Sequence, residues 1–161
     1  MCYNMDMTNF KKNDIFDAEV LDLTHEGQGV VKIDSFPFFV DNALPGERIK
    51  MHVLKVGKSF GFGRVDEFIS QSKHRVTQLN LDYLRTGIAD FGHLSYDEQV
   101  KFKHKQVVDI LRKTAGKSDY PVLPVIEAIK TINYRNKAQI PVQMIDGLLT
   151  TGFYRKNSHT L

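Results

Sequence analysis

Hydrophobic and polar residues alternate along the first part of the chain in short runs typical of β-strands. Five such runs follow the first 14 residues, and they cover residues 16–23, 30–33, 36–40, 48–56 and 60–65. Glycine and proline residues separate the runs, as expected for tight turns. Short strands in this arrangement predict a small closed or half-closed barrel over residues 15–68, preceded by a loose tail over residues 1–14.

A helical pattern follows a linker at residues 69–95. Apolar residues recur at helical spacing and predict a helix over residues 96–115, with Gly116 as its C-terminal glycine. Ser95 and Glu98 have the spacing of a capping box at its N-terminus. The apolar stripe of this helix needs a surface to pack against.

The last segment, residues 117–161, predicts a β-hairpin. Residues 134–142 and 148–154 have strand patterns, and Asp146 and Gly147 between them form a dipeptide favoured in hairpin turns. The pattern as a whole therefore predicts a mostly β protein with some α-helix.

Composition narrows the class of protein. The chain has 161 residues, of which 42% are hydrophobic and 25% charged, as in ordinary soluble globular proteins. There is no apolar run long enough to span a membrane and no apolar segment of a secretory signal near the start. Cys2 is the one cysteine, which excludes an internal disulfide framework. We therefore expect a soluble, cytoplasmic protein that does not contact a membrane.

Charge is distributed unevenly along the chain. Residues 1–68 contain 8 Lys and Arg against 11 Asp and Glu, whereas residues 69–161 contain 14 against 8. Basic residues concentrate at 45–64 and again from residue 130 onward. Two basic patches suit a polyanion held at two places. Ordinary solvated faces are the alternative, and composition alone favours that alternative.

Residues 58–64 contain the pattern that points most directly to a ligand. If the strand includes all of them, Lys58, Phe60, Phe62 and Arg64 share one face, because side chains alternate with period two. Two rings between two cations suit a single-stranded nucleic acid, whose bases stack on rings and whose phosphates meet cations. The alternative is that the two phenylalanines fill the barrel. A phosphate-binding loop at residues 57–59 is excluded, because His52 stands where that motif needs glycine.

Residues 12–68 resemble a TRAM domain, an RNA-binding barrel of the OB type. The resemblance rests on GQGV at 27–30, on FPFFV at 36–40 followed by NALPGE at 42–47, and on the closing strand at 60–65.

Three later motifs resemble the uracil-5-methyltransferase family that modifies 23S ribosomal RNA and transfer RNA. They are HLSY at 93–96, YRNK at 134–137 and GFYRKNSH at 152–159. The resemblance implies the RNA-binding portion of a methyltransferase that uses S-adenosylmethionine to methylate C5 of uridine in 23S rRNA or another structured RNA. It implies that the catalytic residues and the cofactor site lie in a further domain, so that this chain alone binds no cofactor and is inactive.

The resemblance also implies where the chain contacts its partners. Arg135, Lys137, Arg155 and Lys156 would contact the RNA backbone. Residues 96–116 would dock on the methyltransferase domain, or associate with a second copy, and residues 117–161 would begin a central α+β domain.

Many members of the family bind an iron–sulfur cluster through three cysteines before the HLSY motif. The corresponding positions here are Asn80, Thr86 and Ala89, so we expect no cluster. Two alternatives to the enzyme remain open at this point. One is a free-standing TRAM-type RNA-binding protein without catalysis, and the other is a barrel with a helical dimerisation arm and no RNA role.

Overall fold

The structure is a computed structural model that describes residues 10–116, 119–156 and 158. The chain divides into two compact units, one up to Arg75 and the other from Val76 onward. No helix in the described ranges is both long and apolar enough to cross a membrane.

The first unit is a closed five-stranded barrel, which confirms the predicted fold. Its strands are β1 (Ile15–Leu23), β2 (Gly29–Ile33), β3 (Phe36–Asp41), β4 (Arg48–Val56) and β5 (Gly61–Ser70). The order around the barrel is β1-β2-β3-β5-β4. Strands β3 and β5 pair in parallel, and the other neighbours are antiparallel.

The core of the barrel is filled by side chains from the first four strands. Those with at most 1% of their surface exposed are Val20, Val31, Phe38, Val40, Ile49, Met51 and Val53. Strand β5 contributes glycine at two inward positions: a Cβ atom on Gly61 would overlap the Phe38 ring, and one on Gly63 would lie 2.7 Å from Met51 Cγ. The barrel is therefore already full opposite the start of β5, and the phenylalanine between these glycines points outward.

The N-terminal segment closes one end of the barrel from Phe10 onward. The Phe10 ring packs against Phe16, Phe36 and Phe38, with centroid distances of 5.7, 5.4 and 5.3 Å. Residues 10–14 were expected to be part of a loose tail, and the structure instead packs Phe10 against the core. Residues 1–9 lie outside the described residues.

In the second unit, helix α1 (Asp82–Arg85) precedes the long helix α2 (Tyr96–Ala115). The predicted bounds of α2 are confirmed, and Gly116 ends it in the left-handed conformation at φ 63°. Ser95 stands at the N-cap position, but its side chain makes no capping hydrogen bond, so that part of the capping-box prediction is wrong. Among the described residues of this unit, His93 and Leu94 are the buried ones.

The hairpin exists but is shorter than predicted. Strands β6 (Val142–Ile145) and β7 (Leu148–Thr151) are antiparallel. Asp146 and Gly147 connect them with φ values of 48° and 78°, as a tight hairpin turn of this kind requires. Residues 134–141 are irregular and exposed apart from the half-buried Pro141, so the prediction that Arg135 and Lys137 lie on a strand is wrong. The β-propensity of that segment has no neighbouring strand to pair with among the described residues.

Candidate nucleic-acid interface

Three aromatic rings form a cluster on the outer wall of the barrel. Phe39 lies on β3 and Phe62 on β5, and the two residues face each other across the parallel pair of strands. Phe60 lies just before β5. The centroid distances are 5.3 Å for Phe39–Phe60, 5.5 Å for Phe60–Phe62 and 6.1 Å for Phe39–Phe62. We call these residues the ring cluster.

The ring cluster is partly open to solvent. Phe60 has 42% of its surface exposed, and the other two rings are half-buried. None of the three belongs to the hydrophobic core, so the alternative that Phe60 and Phe62 fill the barrel is wrong. The sequence already carried a signal for their direction, because Gly61 and Gly63 alternate with them.

The hydrophobic pattern of the sequence does not identify Phe39 as a member of the ring cluster. Alternation on β3 indicates that it points away from the core side chains Phe38 and Val40. Its proximity to Phe62 depends on the parallel pairing of β3 with β5, which closes the barrel between strands that are not consecutive. Hydrophobic periodicity does not reveal such a pairing.

Two exposed lysines, Lys55 and Lys58, lie beside the ring cluster. Lys58 is exposed in the turn between β4 and β5, which is closed by a 2.8 Å hydrogen bond from the Gly57 N–H to the Phe60 carbonyl. Lys55 is exposed on β4 opposite Phe62. Because β5 begins at Gly61, the prediction that Lys58 and Phe60 share a strand face with Phe62 and Arg64 is wrong. The turn nevertheless places Lys58 two residues from Phe60.

Arg64 follows the ring cluster on the same face of β5, but it is already engaged. Its Nε donates to Asp66 Oδ1 at 2.9 Å. Asp66 Oδ2 in turn lies 3.0 Å from His52 Nδ1, and His52 Nε2 lies 3.2 Å from Asn13 Oδ1. The hydrogen bond from His52, followed by that from Arg64, holds the pKa of Asp66 below its ordinary value, despite some opposing desolvation. Asp66 is therefore charged at neutral pH.

The predicted basic contacts of the second unit are exposed. Arg135 and Lys137 lie in the irregular segment before the hairpin, and Arg155 follows the hairpin. Lys156 forms an ion pair with Asp90, and its N–H donates to the Arg85 carbonyl at 2.8 Å. Lys156 is thus held against the loop after α1.

Three residues occupy the positions expected to correspond to the cysteine ligands of an iron–sulfur cluster, namely Asn80, Thr86 and Ala89. In the structure, each of them forms a hydrogen bond within its own loop. Asn80 Oδ1 accepts from the Asp82 N–H at 2.9 Å, and the Thr86 hydroxyl donates to the Asp82 carbonyl at 2.6 Å. The Ala89 N–H donates to the Tyr83 carbonyl at 3.2 Å. None of the three side chains offers a thiolate, so these residues do not fit a cluster.

The described residues do not fit S-adenosylmethionine either. They form a closed barrel, two helices and a hairpin, and within these ranges there is no open parallel sheet with a glycine-rich loop at a helix N-terminus. No step of methyl transfer is assigned to them.

Comparison with known proteins agrees with the geometry. The family model for the TRAM domain matches residues 10–65. A Lactococcus lactis protein named "Uncharacterized RNA methyltransferase YljE" is 98% identical over 161 residues, which are 100% of this chain and 35% of the relative. The chain belongs to a family of RNA methyltransferases that carry a TRAM domain. This confirms the TRAM domain and the RNA methyltransferase family that the motifs predicted.

A more distant curated relative is also named an RNA methyltransferase. A Streptococcus agalactiae protein named "Uncharacterized RNA methyltransferase SAG0633" is 56% identical over 150 residues, which are 93% of this chain and 33% of the relative. The chain therefore spans about a third of the length of the curated relatives that it matches. A solution structure of a conserved Methanococcus maripaludis protein is 26% identical with a TM-score of 0.37, and it covers 42% of this chain and 100% of its own.

Proposed function

We propose that this chain is the RNA-binding portion of an S-adenosylmethionine-dependent 23S rRNA (uracil-5-)methyltransferase, and that the ring cluster is its RNA-binding surface. The observation that carries the proposal is the outward position of three phenylalanines on a TRAM barrel. A barrel that is stable without these rings in its core has no packing reason to keep all three on its outer wall.

The rings suit single-stranded RNA. Stacking of a base on an aromatic side chain stabilises a complex by about 1 to 3 kcal/mol and tolerates any base. Phe60 is the most exposed of the three rings and lies beside the turn that carries Lys58. Lys58 and Lys55 would contact phosphates next to the stacked bases. Arg64 would reach a phosphate only where its ion pair with Asp66 opens.

The second unit would contribute further backbone contacts through Arg135, Lys137, Arg155 and Lys156. Backbone contacts position an RNA without reading its sequence. Chemistry on a base requires that the base leave its stack, and we assign that chemistry, with the cofactor, to the remaining two thirds of the relatives' length. The 161-residue chain alone is expected to transfer no methyl group.

Fluorescence anisotropy with a labelled single-stranded RNA tests the RNA-binding surface. A variant with Phe39→Ala, Phe60→Ala and Phe62→Ala is expected to bind at least about tenfold more weakly, because stacking is lost. Leu21→Ala is the matched control, since Leu21 is 54% exposed on β1, outside the ring cluster. Equal affinity of the triple variant and the wild type would contradict the proposed surface.

The ribosomal target needs a separate experiment. A protein of the relatives' full length, incubated with 23S rRNA and S-adenosylmethionine, is expected to form 5-methyluridine at a position that mass spectrometry can map. Methylation of transfer RNA but not of 23S rRNA would show that the proposed substrate is wrong while the family remains right.

A further inference from the structure

The barrel has no overall charge with which to attract RNA. Residues 10–75 contain ten Lys and Arg and ten Asp and Glu, so their net charge is zero. Affinity for a polyanion must therefore depend on where the unpaired cations lie.

Cations on the outer wall differ in availability. Lys50 on β4 pairs with Glu67 on β5 at 2.9 Å, and Arg64 pairs with Asp66 at the same distance. Lys55 and Lys58 form no ion pair with any residue that the structure describes. Beside the ring cluster, the unpaired positive charge is therefore that of Lys55 and Lys58, whereas Arg64 is paired.

Asp66 is held in place from two sides. One carboxylate oxygen accepts from Arg64, and the other lies 3.0 Å from the ring nitrogen of His52, which is itself anchored by Asn13. Only 27% of the Asp66 side chain is exposed, compared with 58% of Arg64. The guanidinium is thus open to an approaching phosphate, but the phosphate must compete with a fixed carboxylate and meets its negative charge.

We propose that Asp66 is a specificity-determining residue of the RNA surface: by pairing with Arg64 it restricts phosphate contacts to Lys55 and Lys58 beside the rings. This inference rests on the proposed RNA-binding function. A single strand gains affinity from stacking and needs few phosphate contacts. A duplex hides its bases and depends on the number of phosphates that are neutralised. The pairing of Asp66 with Arg64 therefore lowers the affinity for a duplex more than the affinity for a single strand. The surface thereby discriminates against duplex RNA as a competing ligand.

The experiment measures the affinity of the 161-residue chain for a 12-nucleotide oligouridylate and for a 12-base-pair RNA duplex over a range of salt concentrations. Asp66→Asn is expected to bind the duplex about two- to fivefold more tightly, the range for release of a surface ion pair. The slope of log affinity against log salt should steepen by about 0.9 for the duplex, as for one added phosphate contact. The ratio of single-strand to duplex affinity should fall.

Two further variants separate this role from a general effect of charge. Asp17→Asn on β1 removes the same charge outside the ring cluster and is expected to leave the ratio unchanged. Arg64→Gln alone should change the duplex slope little, whereas Arg64→Gln combined with Asp66→Asn should abolish the gain.

The outcomes distinguish this inference from the function on which it rests. If the wild type binds the oligouridylate and Asp66→Asn leaves the duplex slope unchanged, Asp66 has no such role. The same holds if Asp17→Asn reproduces the whole effect. If the wild type binds neither RNA at any salt concentration, the proposed RNA surface is itself wrong.

Discussion

Glu47 is fully buried in the barrel unit, and one arginine neutralises it. Arg75 Nε donates to Glu47 Oε1 at 2.6 Å, and its Nη2 donates to Oε2 at 2.7 Å. The backbone N–H groups of Leu44 and Ser72 also donate hydrogen bonds to the Glu47 carboxylate, at 2.9 and 3.1 Å. Arg75 also donates to Asn42 and lies 4.5 Å from the centre of the Phe68 ring. The pair therefore ties the β3–β4 turn to the chain that leaves β5.

Removal of one partner of this pair leaves a buried charge without its counterion. Arg75→Met is expected to lower the free energy of unfolding by about 3 to 5 kcal/mol. Lys73→Met is the matched control, because Lys73 is exposed two residues away and surface substitutions usually change stability by less than about 0.5 kcal/mol. Urea unfolding followed by circular dichroism gives both values. Equal midpoints for the two variants would contradict the role of the pair.

Single residues show how far the sequence can be interpreted. The sequence predicted five strands, and alternation with Gly61 and Gly63 placed Phe62 on the outside once the core was known to be full. It did not reveal Phe39 or the pairing of Arg64 with Asp66. Both depend on distances between residues that are remote in sequence or on the choice of one rotamer among several.

At the scale of elements, the N-terminal segment completes the barrel. The Asn13 N–H donates to the Val53 carbonyl at 2.9 Å, and the Val53 N–H donates to the Asp14 carbonyl at 2.8 Å. These bonds fix the segment at the end of β4, and the Phe10 ring covers the core next to them. A polar segment without periodicity carries no sign of this packing, because one aromatic residue provides most of it.

Loss of the Phe10 ring should destabilise the barrel. Phe10→Ala is expected to lower the unfolding free energy by about 2 kcal/mol, since a half-buried ring loses its apolar contacts. Lys12→Ala serves as the control, because Lys12 is exposed in the same segment. Thermal unfolding of both variants checks the difference. If the Phe10 variant unfolds at the temperature of the control, the segment does not contribute to the core.

Elements of the second unit were predicted less completely. The bounds of α2 followed from its periodicity and from Gly116, both of which are local signals. The strand predicted over residues 134–142 failed because a strand is stable only with a neighbour, and that neighbour is not among the described residues. Its exposed apolar side chains, such as Tyr134 at 69% and Ile140 at 53%, show the same lack of partners among the described residues.

At the scale of the whole molecule, the two units differ in how much they bury. The barrel has a continuous core, whereas the buried residues described in the second unit are His93 and Leu94. The local stability of a segment increases with the number of apolar contacts that it buries. The two units should therefore open with different free energies.

Hydrogen exchange measured by mass spectrometry can resolve this difference. Amides of β1 to β5 are expected to exchange about a hundredfold or more slowly than those of β6 and β7, because an isolated two-stranded hairpin is marginally stable in water. The peptide that covers the irregular, exposed residues 134–140 provides an internal reference for open exchange. Equal protection of barrel and hairpin would show that the hairpin is covered in solution.

Closure of the barrel also determines where this chain can aggregate. Every barrel strand has a neighbour on both sides, so none offers a free row of backbone donors and acceptors for another molecule to extend. In the described structure the sheet of β6 and β7 has two open edges, and Leu148 and Leu149 on it are more than 70% exposed. Intermolecular β-sheet growth would begin at this hairpin, and substitutions that improve solubility belong there rather than on the barrel.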